Sequence, residues 1–284
     1  MESTSKSRPN RRELLIIGGD SKIGAHLKRY FTGQGYSVSS TTRKNPDPGS
    51  FLPEYHLDLS NENLQLPSND FESAIFCAGI TKISYCEEYP EKSQQINVQN
   101  TIRVIQNLVE RNTHVVFLSS NLVFDGSKQF FSHEEELSPR SKYGAYKAMV
   151  ESYLKSLDFS VLRLTKVLTN DSNFLIEWEN SVRRGEEFAA YTNRFVSPVE
   201  IDRVVEAINQ VINIGLNKSR VGGKGQKSQQ LFQLGANYEI SYFDFALKYF
   251  EKNAKALSLL SGKIDESVIN NRYNSLITHL PTAK

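Results

Sequence analysis

The chain has 284 residues, 39% of them hydrophobic and 23% charged, which describes a globular protein with a sizeable core and excludes a disordered or fibrous one. Its 34 Lys and Arg stand against 32 Asp and Glu, and the excess lies in residues 1–13, where Lys6, Arg8, Arg11 and Arg12 face only Glu2 and Glu13. The remainder is neutral in sum, so it has no sustained field to attract a nucleic-acid partner.

Residues 1–13 read as a disordered leader, basic and Ser-rich but without the apolar core of a signal peptide. A short apolar strand at 14–17 then runs into Gly18-Gly19-Asp20-Ser21-Lys22-Ile23-Gly24 and an amphipathic stretch reaching Phe31. That is a strand, a glycine turn and a helix. Further strands are predicted at 36–41, at a run ending with 55–58, at 73–77 before Ala78-Gly79, and at 114–118. Apolar residues at helical spacing fill 90–111. This alternation predicts an α/β chain whose residues 14–165 form a Rossmann-type doubly wound parallel sheet. Beyond 165 the pattern loosens into helices near 173–185, 199–214 and 241–255 and a strand at 188–191. The 199–214 helix is expected to pack on the sheet domain, with 166–198 and 215–284 forming a small C-terminal α+β substrate-binding part. Residues 218–227 are glycine-rich with four positive charges and no acid, and read as a solvated loop.

Two cysteines, Cys77 and Cys86, and five scattered histidines provide neither a disulfide framework nor metal-ligand spacing. No metal is expected, and the setting reads as reducing and cytoplasmic. No apolar run approaches the ~20 residues that cross a bilayer, so no membrane partner is expected.

The glycine turn suits a dinucleotide pyrophosphate, which needs a tight turn, a close backbone and the free N–H groups of a helix start. Ser21 stands where the middle glycine of a G-x-x-G-x-x-G turn would be. Either the loop widens around it or its hydroxyl bonds a phosphate oxygen. After the second strand, Thr41-Thr42-Arg43-Lys44 offers a 2′-phosphate two cations and no acid, which favours NADP(H) over NAD(H). Ser119-Ser120 ends the fifth strand. About twenty residues later comes Tyr143-Gly-Ala-Tyr146-Lys147, and tyrosine and lysine four apart share one helix face. A phenol is a poor acid at neutral pH unless an ammonium lies beside it.

Together these residues resemble an extended short-chain dehydrogenase/reductase of the NAD-dependent epimerase/dehydratase superfamily, in the branch of dTDP-4-dehydrorhamnose reductase. The resemblance spans roughly 14–257. Phe117-Leu-Ser-Ser-Asn-Leu-Val-Phe-Asp-Gly126 resembles the block that carries the catalytic Ser or Thr, placing Ser120 on it. Tyr143-Gly-Ala-Tyr-Lys-Ala-Met-Val-Glu151 fits Y-G-x-x-K-x-x-x-E, which makes Tyr143 and Lys147 the catalytic pair rather than Tyr146. The resemblance implies a cofactor site at Gly18, Gly19, Ser21, Lys22, Ile23, Gly24, Arg43, Asp58, Leu59, Cys77, Ala78, Gly79 and Asn97, with Tyr143 and Lys147 reaching the nicotinamide end. Asn121, Arg163, Asn173 and Arg194 are the candidates for substrate contact. Asn121 and Leu122 depart from the branch's aspartate and tyrosine, Val199 from its threonine, and Lys166-Val-Leu-Thr-Asn-Asp171 from its longer substrate loop.

The implied activity is NADPH-dependent reduction of a nucleotide-linked 4-keto sugar through a Ser/Tyr/Lys triad, in a homodimer paired through 90–111 and 139–157. Epimerisation or dehydration is an alternative, weakened because Ser120-Asn121-Leu122 adds no acid beside the tyrosine. A non-catalytic NADP-binding regulatory subunit, like that of methionine adenosyltransferase, is another, because fold does not fix function.

Overall fold

The computed structural model describes residues 12–221, 230–266 and 273–281. Leader residues 1–11 and positions 222–227 of the basic stretch lie outside the described residues. The last two residues of the expected leader are structured: the Arg12 guanidinium donates to Asn213 Oδ1 at 2.5 Å and to the Tyr36 hydroxyl at 3.1 Å, and Glu13 belongs to a strand.

The first half of the chain runs β1 (Glu13–Ile17), α1 (Lys22–Gly33), β2 (Ser37–Thr42), β3 (Glu54–His56), β4 (Ser73–Phe76), α2 (Ile83–Glu88), α3 (Pro90–Gln94) and α4 (Thr101–Glu110). Then come β5 (His114–Ser120), α5 (Lys142–Tyr153), β6 (Phe159–Leu164), β7 (Lys166–Leu168), α6 (Asn173–Arg184), β8 (Phe188–Tyr191), β9 (Phe195–Val196) and β10 (Pro198–Glu200). The chain continues through α7 (Ile201–Val221), β11 (Gln230–Leu234), β12 (Ile240–Ser241), α8 (Tyr242–Tyr249), α9 (Ala254–Leu259) and β13 (Leu260–Lys263).

Seven of these strands form one parallel sheet in the order β11-β6-β5-β4-β1-β2-β3. Its central strands β1, β4, β5 and β6 are mostly apolar because both faces are covered, whereas β2 and β3 toward one edge are mostly polar. Leu14 and Ile16 of β1 join α1 and α7 in one core through Leu27, Phe31, Val204 and Ile208. Leu15 and Ile17 face the opposite way, onto Ile105 and Leu108 of α4 and Val150 of α5. Alternation along each strand puts successive side chains into the two layers. Each fully buried Leu, Ile or Phe contributes about 1.5–3 kcal/mol. The strand order turns back between β1 and β4, which opens a crevice at their carboxyl ends.

Three helices differ from the periodic reading. The run 90–111 is interrupted by a π-helical segment, Gln95–Asn100, between α3 and α4. The run 241–255 breaks into α8 and α9. Helix α7 begins at Ile201 and continues to Val221, so positions 218–221 of the expected loop are helical.

The small part has its own apolar cluster, in which Trp178 of α6 meets Phe188 of β8 and Phe250 beside α8. Strand β13 lies parallel to β8, and β12 antiparallel to β9. Residues 273–281 return to the sheet domain, bridging Phe131 to Leu276 and Gln233 to His279.

Candidate active site

Gly18 ends β1 at φ +87°, and a Cβ there would sit 2.9 Å from the Ala78 backbone. The β1 turn and the loop after β4 are thus in direct backbone contact, which requires glycine. Gly19 N donates to Thr41 O at 2.9 Å. The Ser21 hydroxyl donates to Gly18 O at 2.8 Å and accepts from Gly24 N at 3.0 Å. It caps α1 and holds the turn tight. The backbone N–H groups of Lys22 and Ile23 open the same helix, where no intrahelical acceptor exists. These are the groups to which an anion can bind.

At the end of β2, Arg43 is exposed, and the Thr42 hydroxyl donates to Asp20 at 3.3 Å. The Asp58 carboxyl is held below its usual range, first by the Ser60 backbone N–H at 2.8 Å, with His56 and Arg43 adding smaller effects. Leu59 is buried, and its carbonyl accepts from Asn100 Nδ2 at 2.8 Å. After β4 the Cys77 Sγ donates to Ile17 O at 3.1 Å, and burial pushes the thiol up to about 11. It is a neutral floor to the turn rather than a nucleophile.

The π-helical segment carries Asn97, whose amide clamps the 78–80 loop from both sides. Oδ1 accepts from Ile80 N and Nδ2 donates to Ile80 O, each at 2.8 Å. Asn97 therefore supports the predicted cofactor loop by holding its backbone. Asn97→Ala is expected to lower stability by about 1–3 kcal/mol, the cost of orphaning buried backbone groups, and to weaken cofactor binding. Urea unfolding and a nicotinamide-fluorescence titration measure the two effects; unchanged values would remove this role.

The predicted catalytic residues meet at the edge of β5. Helix α5 starts at Ser141, whose side chain accepts from Gly144 N. A Cβ on Gly144 would lie 2.0 Å from Leu122 O, so this glycine lets the helix press against the turn carrying Ser120. Ser120 and Tyr143 line the same cleft, and the serine side chain lies close enough to act on the phenol. Tyr146 is buried and donates to Pro90 O at 2.8 Å, away from that contact. Lys147 is also buried, donating to Leu118 O at 2.8 Å, with its Nζ 4.4 Å above the Phe117 ring and 5.9 Å from the Tyr143 ring centre.

The electrostatics differ from the expected poise. Burial pushes the Tyr143 phenol up to about 12, Cys86 adds to this, and the Ser120 hydrogen bond pulls the other way. Burial brings the Lys147 ammonium down to about 8, against smaller upward effects of Glu151 and Cys77. Between about 8 and the ordinary 10.5 the unfolded chain keeps a proton that folded Lys147 has lost. Stability contributed here is thus poorest below about 8 and rises with pH through that window. Lys147→Met is expected to remove the rise, which urea unfolding of both proteins across the window would measure. An identical rise in both would count against the lysine.

The crevice opens into a cleft of about 920 Å³, walled on one side by Ser120, Asn121, Tyr143 and Ile23, and on the other by Trp178 and Arg194. Lys22 of α1 crosses its mouth, donating to Asn173 Oδ1 at 2.8 Å and bonding the Asp171 carbonyl. Arg194 pairs with Asp265 and lies over the Tyr191 ring, which also meets Lys263 Nζ at 4.3 Å. Arg163 does not line the cleft. It is 2% exposed, and its guanidinium pairs with Glu151 at 2.7 Å behind β5. Lys166, Lys263 and Asn274 line the cleft and were not among the predicted residues. Among the described residues no group of three or more His, Cys, Asp or Glu could hold a metal ion, and no helix is long and apolar enough to cross a membrane.

A family model described as the RmlD substrate binding domain matches residues 12–268. The chain belongs to that family. Among curated relatives of this RmlD-family chain is the protein named probable low-salt glycan biosynthesis reductase Agl14 of Haloferax volcanii. It is 22% identical over 215 residues, covering 72% of this chain and 71% of the relative. Two solved structures share the fold. MoeE5 in complex with UDP-glucuronic acid and NAD has a TM-score of 0.75 at 19% identity, covering 94% of this chain and 90% of that one. The dTDP-4-dehydrorhamnose reductase of Bacillus anthracis strain Ames, in complex with NADP, has a TM-score of 0.73 at 17% identity, covering 95% and 91%. In the RmlD-family chain, as in the sequence-based expectation, the crevice at the strand reversal brings the glycine turn, Ser120, Tyr143 and Lys147 to one sheet edge.

Proposed function

We propose that this RmlD-family chain is an NADPH-dependent reductase of a nucleotide-linked 4-keto sugar. The observation that carries the proposal is the convergence of Ser120 and Tyr143 in one cleft that Lys22, Lys166, Arg194 and Lys263 also line. A carbonyl oxygen beside that pair would receive the phenol proton while the Ser120 hydroxyl holds it. The four cations suit a diphosphate, and the rings of Phe174, Trp178 and Tyr191 suit the apolar faces of a base or sugar.

The residues fit a dinucleotide. The turn at Gly18 has no room for a side chain, α1 opens with free N–H groups above it, and Asn97 fixes the loop that would cover it. A nicotinamide bound there supplies the hydride. Lys147 would hold its ribose, with Asp58 and Leu59 toward the adenine end. The preference for a 2′-phosphate rests on Arg43 and Lys44, since Asp20 and Asp58 flank the same strand ends.

The test follows NADPH and NADH absorbance over a panel of dTDP- and UDP-linked 4-keto sugars. Consumption of NADPH in preference to NADH with one of them supports the proposal, and Arg43→Glu is expected to erase that preference. The alternative is a chain that binds cofactor without turning it over. Tight NADPH binding with no consumption across the panel would establish that reading in place of the first.

A further inference from the structure

Residues 273–281 lie beyond the stretch matched by the family model, yet they re-enter the cleft. Their backbone is pinned on both sides of Leu276, which is buried. Phe131 N donates to Ser275 O at 3.2 Å, Ile277 N donates to Phe131 O at 2.9 Å, and Gln233 and His279 exchange both backbone bonds at 2.9 Å. Asn274 is thereby delivered to the cleft wall. Its Nδ2 donates to Phe195 O at 2.8 Å, and its backbone N–H donates to Glu239.

The remaining contacts of Asn274 reach toward the reacting end. Asn121 Nδ2 donates both to Asn274 O at 3.1 Å and to Asn274 Oδ1 at 3.0 Å. At the other end of the same amide, Asn121 Oδ1 accepts from the Ser120 hydroxyl at 3.3 Å. Ser120 Oγ in turn accepts from Leu122 N at 3.2 Å and meets the Tyr143 phenol. An Asn side chain could place either its oxygen or its nitrogen toward Ser120. Two oxygens from residue 274 leave one acceptable choice, because a flipped amide would set its oxygen against both of them. Without substrate the Ser120 proton is then directed at Asn121 Oδ1, and a carbonyl oxygen entering beside it would take that proton over from a fixed serine.

We infer that Asn274 is a positioning residue. Acting through Asn121, it fixes the direction of the Ser120 hydroxyl beside Tyr143. The kinetic consequence rests on the reductase reading above, whereas the amide orientation does not.

Two measurements keep these apart. In ¹⁵N-labelled apoprotein the Asn121 side-chain amide, assigned by its disappearance in Asn121→Ala, is expected to exchange slowly. In Asn274→Ala it should exchange about tenfold faster, as expected for loss of a partly buried partner. Equal exchange in the two proteins overturns the inference whether or not a substrate is known. On whichever nucleotide 4-keto sugar the panel identifies, Asn274→Ala should lower kcat about tenfold with KM for NADPH unchanged, and should add nothing in an Asn121→Ala background. Additive losses, or an unchanged kcat in Asn274→Ala, overturn it. Asn121→Asp leaves residues 273–281 untouched. It is isosteric but turns the donor into a charged acceptor facing two oxygens, so it is expected to lose at least as much turnover as Asn121→Ala. Retained turnover in that variant also refutes the positioning role.

Discussion

Tyr143→Phe is expected to cut reductase turnover by about 10²–10⁴-fold, the contribution of a positioned general acid, while leaving NADPH affinity and folding stability nearly unchanged. The separation follows from what the residue touches. Its ring packs in the core beside α5 and faces Lys147 across 5.9 Å, and phenylalanine keeps both contacts. Only the hydroxyl is lost, and the neighbouring Ser120 keeps its bonds to Leu122 N and Asn121. Stopped-flow NADPH oxidation and a fluorescence titration of cofactor would read the two quantities. Turnover within a few-fold of wild type would exclude Tyr143 as the proton donor, and a parallel loss of cofactor binding would make its role structural.

Arg163→Met is expected to have the largest effect on stability, about 3–5 kcal/mol, because it strips the cation from a buried carboxylate. Glu151 and Arg163 have side chains only 3% exposed, joined by bonds of 2.7–3.2 Å. Ser119 donates to the same carboxylate, and Arg163 also donates to Gln233 Oε1 at 3.1 Å. Gln233 in turn donates to the carbonyls of Phe131 and Ile277. The charge pair thus joins α5, β5, β6 and β11 to the returning 273–281 segment. Replacing both members with Glu151→Leu and Arg163→Met should recover much of the loss, since an apolar pair of similar volume carries no desolvation penalty. Chemical denaturation of the single and double variants provides the comparison. A single variant as stable as wild type would mean that the carboxylate is satisfied without the guanidinium.

The sheet was readable because its signal is local. An apolar strand such as 14–17 followed by glycine and an amphipathic helix depends on neighbours a few residues apart, and the order of the parallel strands then follows from chain connectivity. The Ser120, Tyr143 and Lys147 group was readable for the same reason, as a strand end and one helix face. Arg163 was misread as a substrate contact because nothing in a strand sequence says which way a lone charged side chain turns. Glu151, its partner, reads only as part of a helix motif. Lys166, Lys263 and Asn274 enter the cleft through tertiary packing, and Asn274 reaches Asn121 across 153 positions. The spacing of Tyr143 and Lys147 conveys proximity but not dryness, and burial is the larger effect on both.

The wide turn at Gln95–Asn100 has a bearing on how the chain can change length. A π-helical turn takes up one residue more than an α-turn would, and the helix regains its phase on either side. Val98 and Ile102 therefore keep their places in the apolar layer, while the surplus residue is spent on turning Asn97 toward Ile80. Closing the bulge would leave the hydrophobic stripe of α4 aligned while disturbing the Asn97 clamp and the bonds of Asn100 to Leu59 and Asn61. Chain length at this one position is thus tied to the two loops that the turn holds, at Ile80 and at Leu59, so an indel here is expected to act on both before it reaches the sheet.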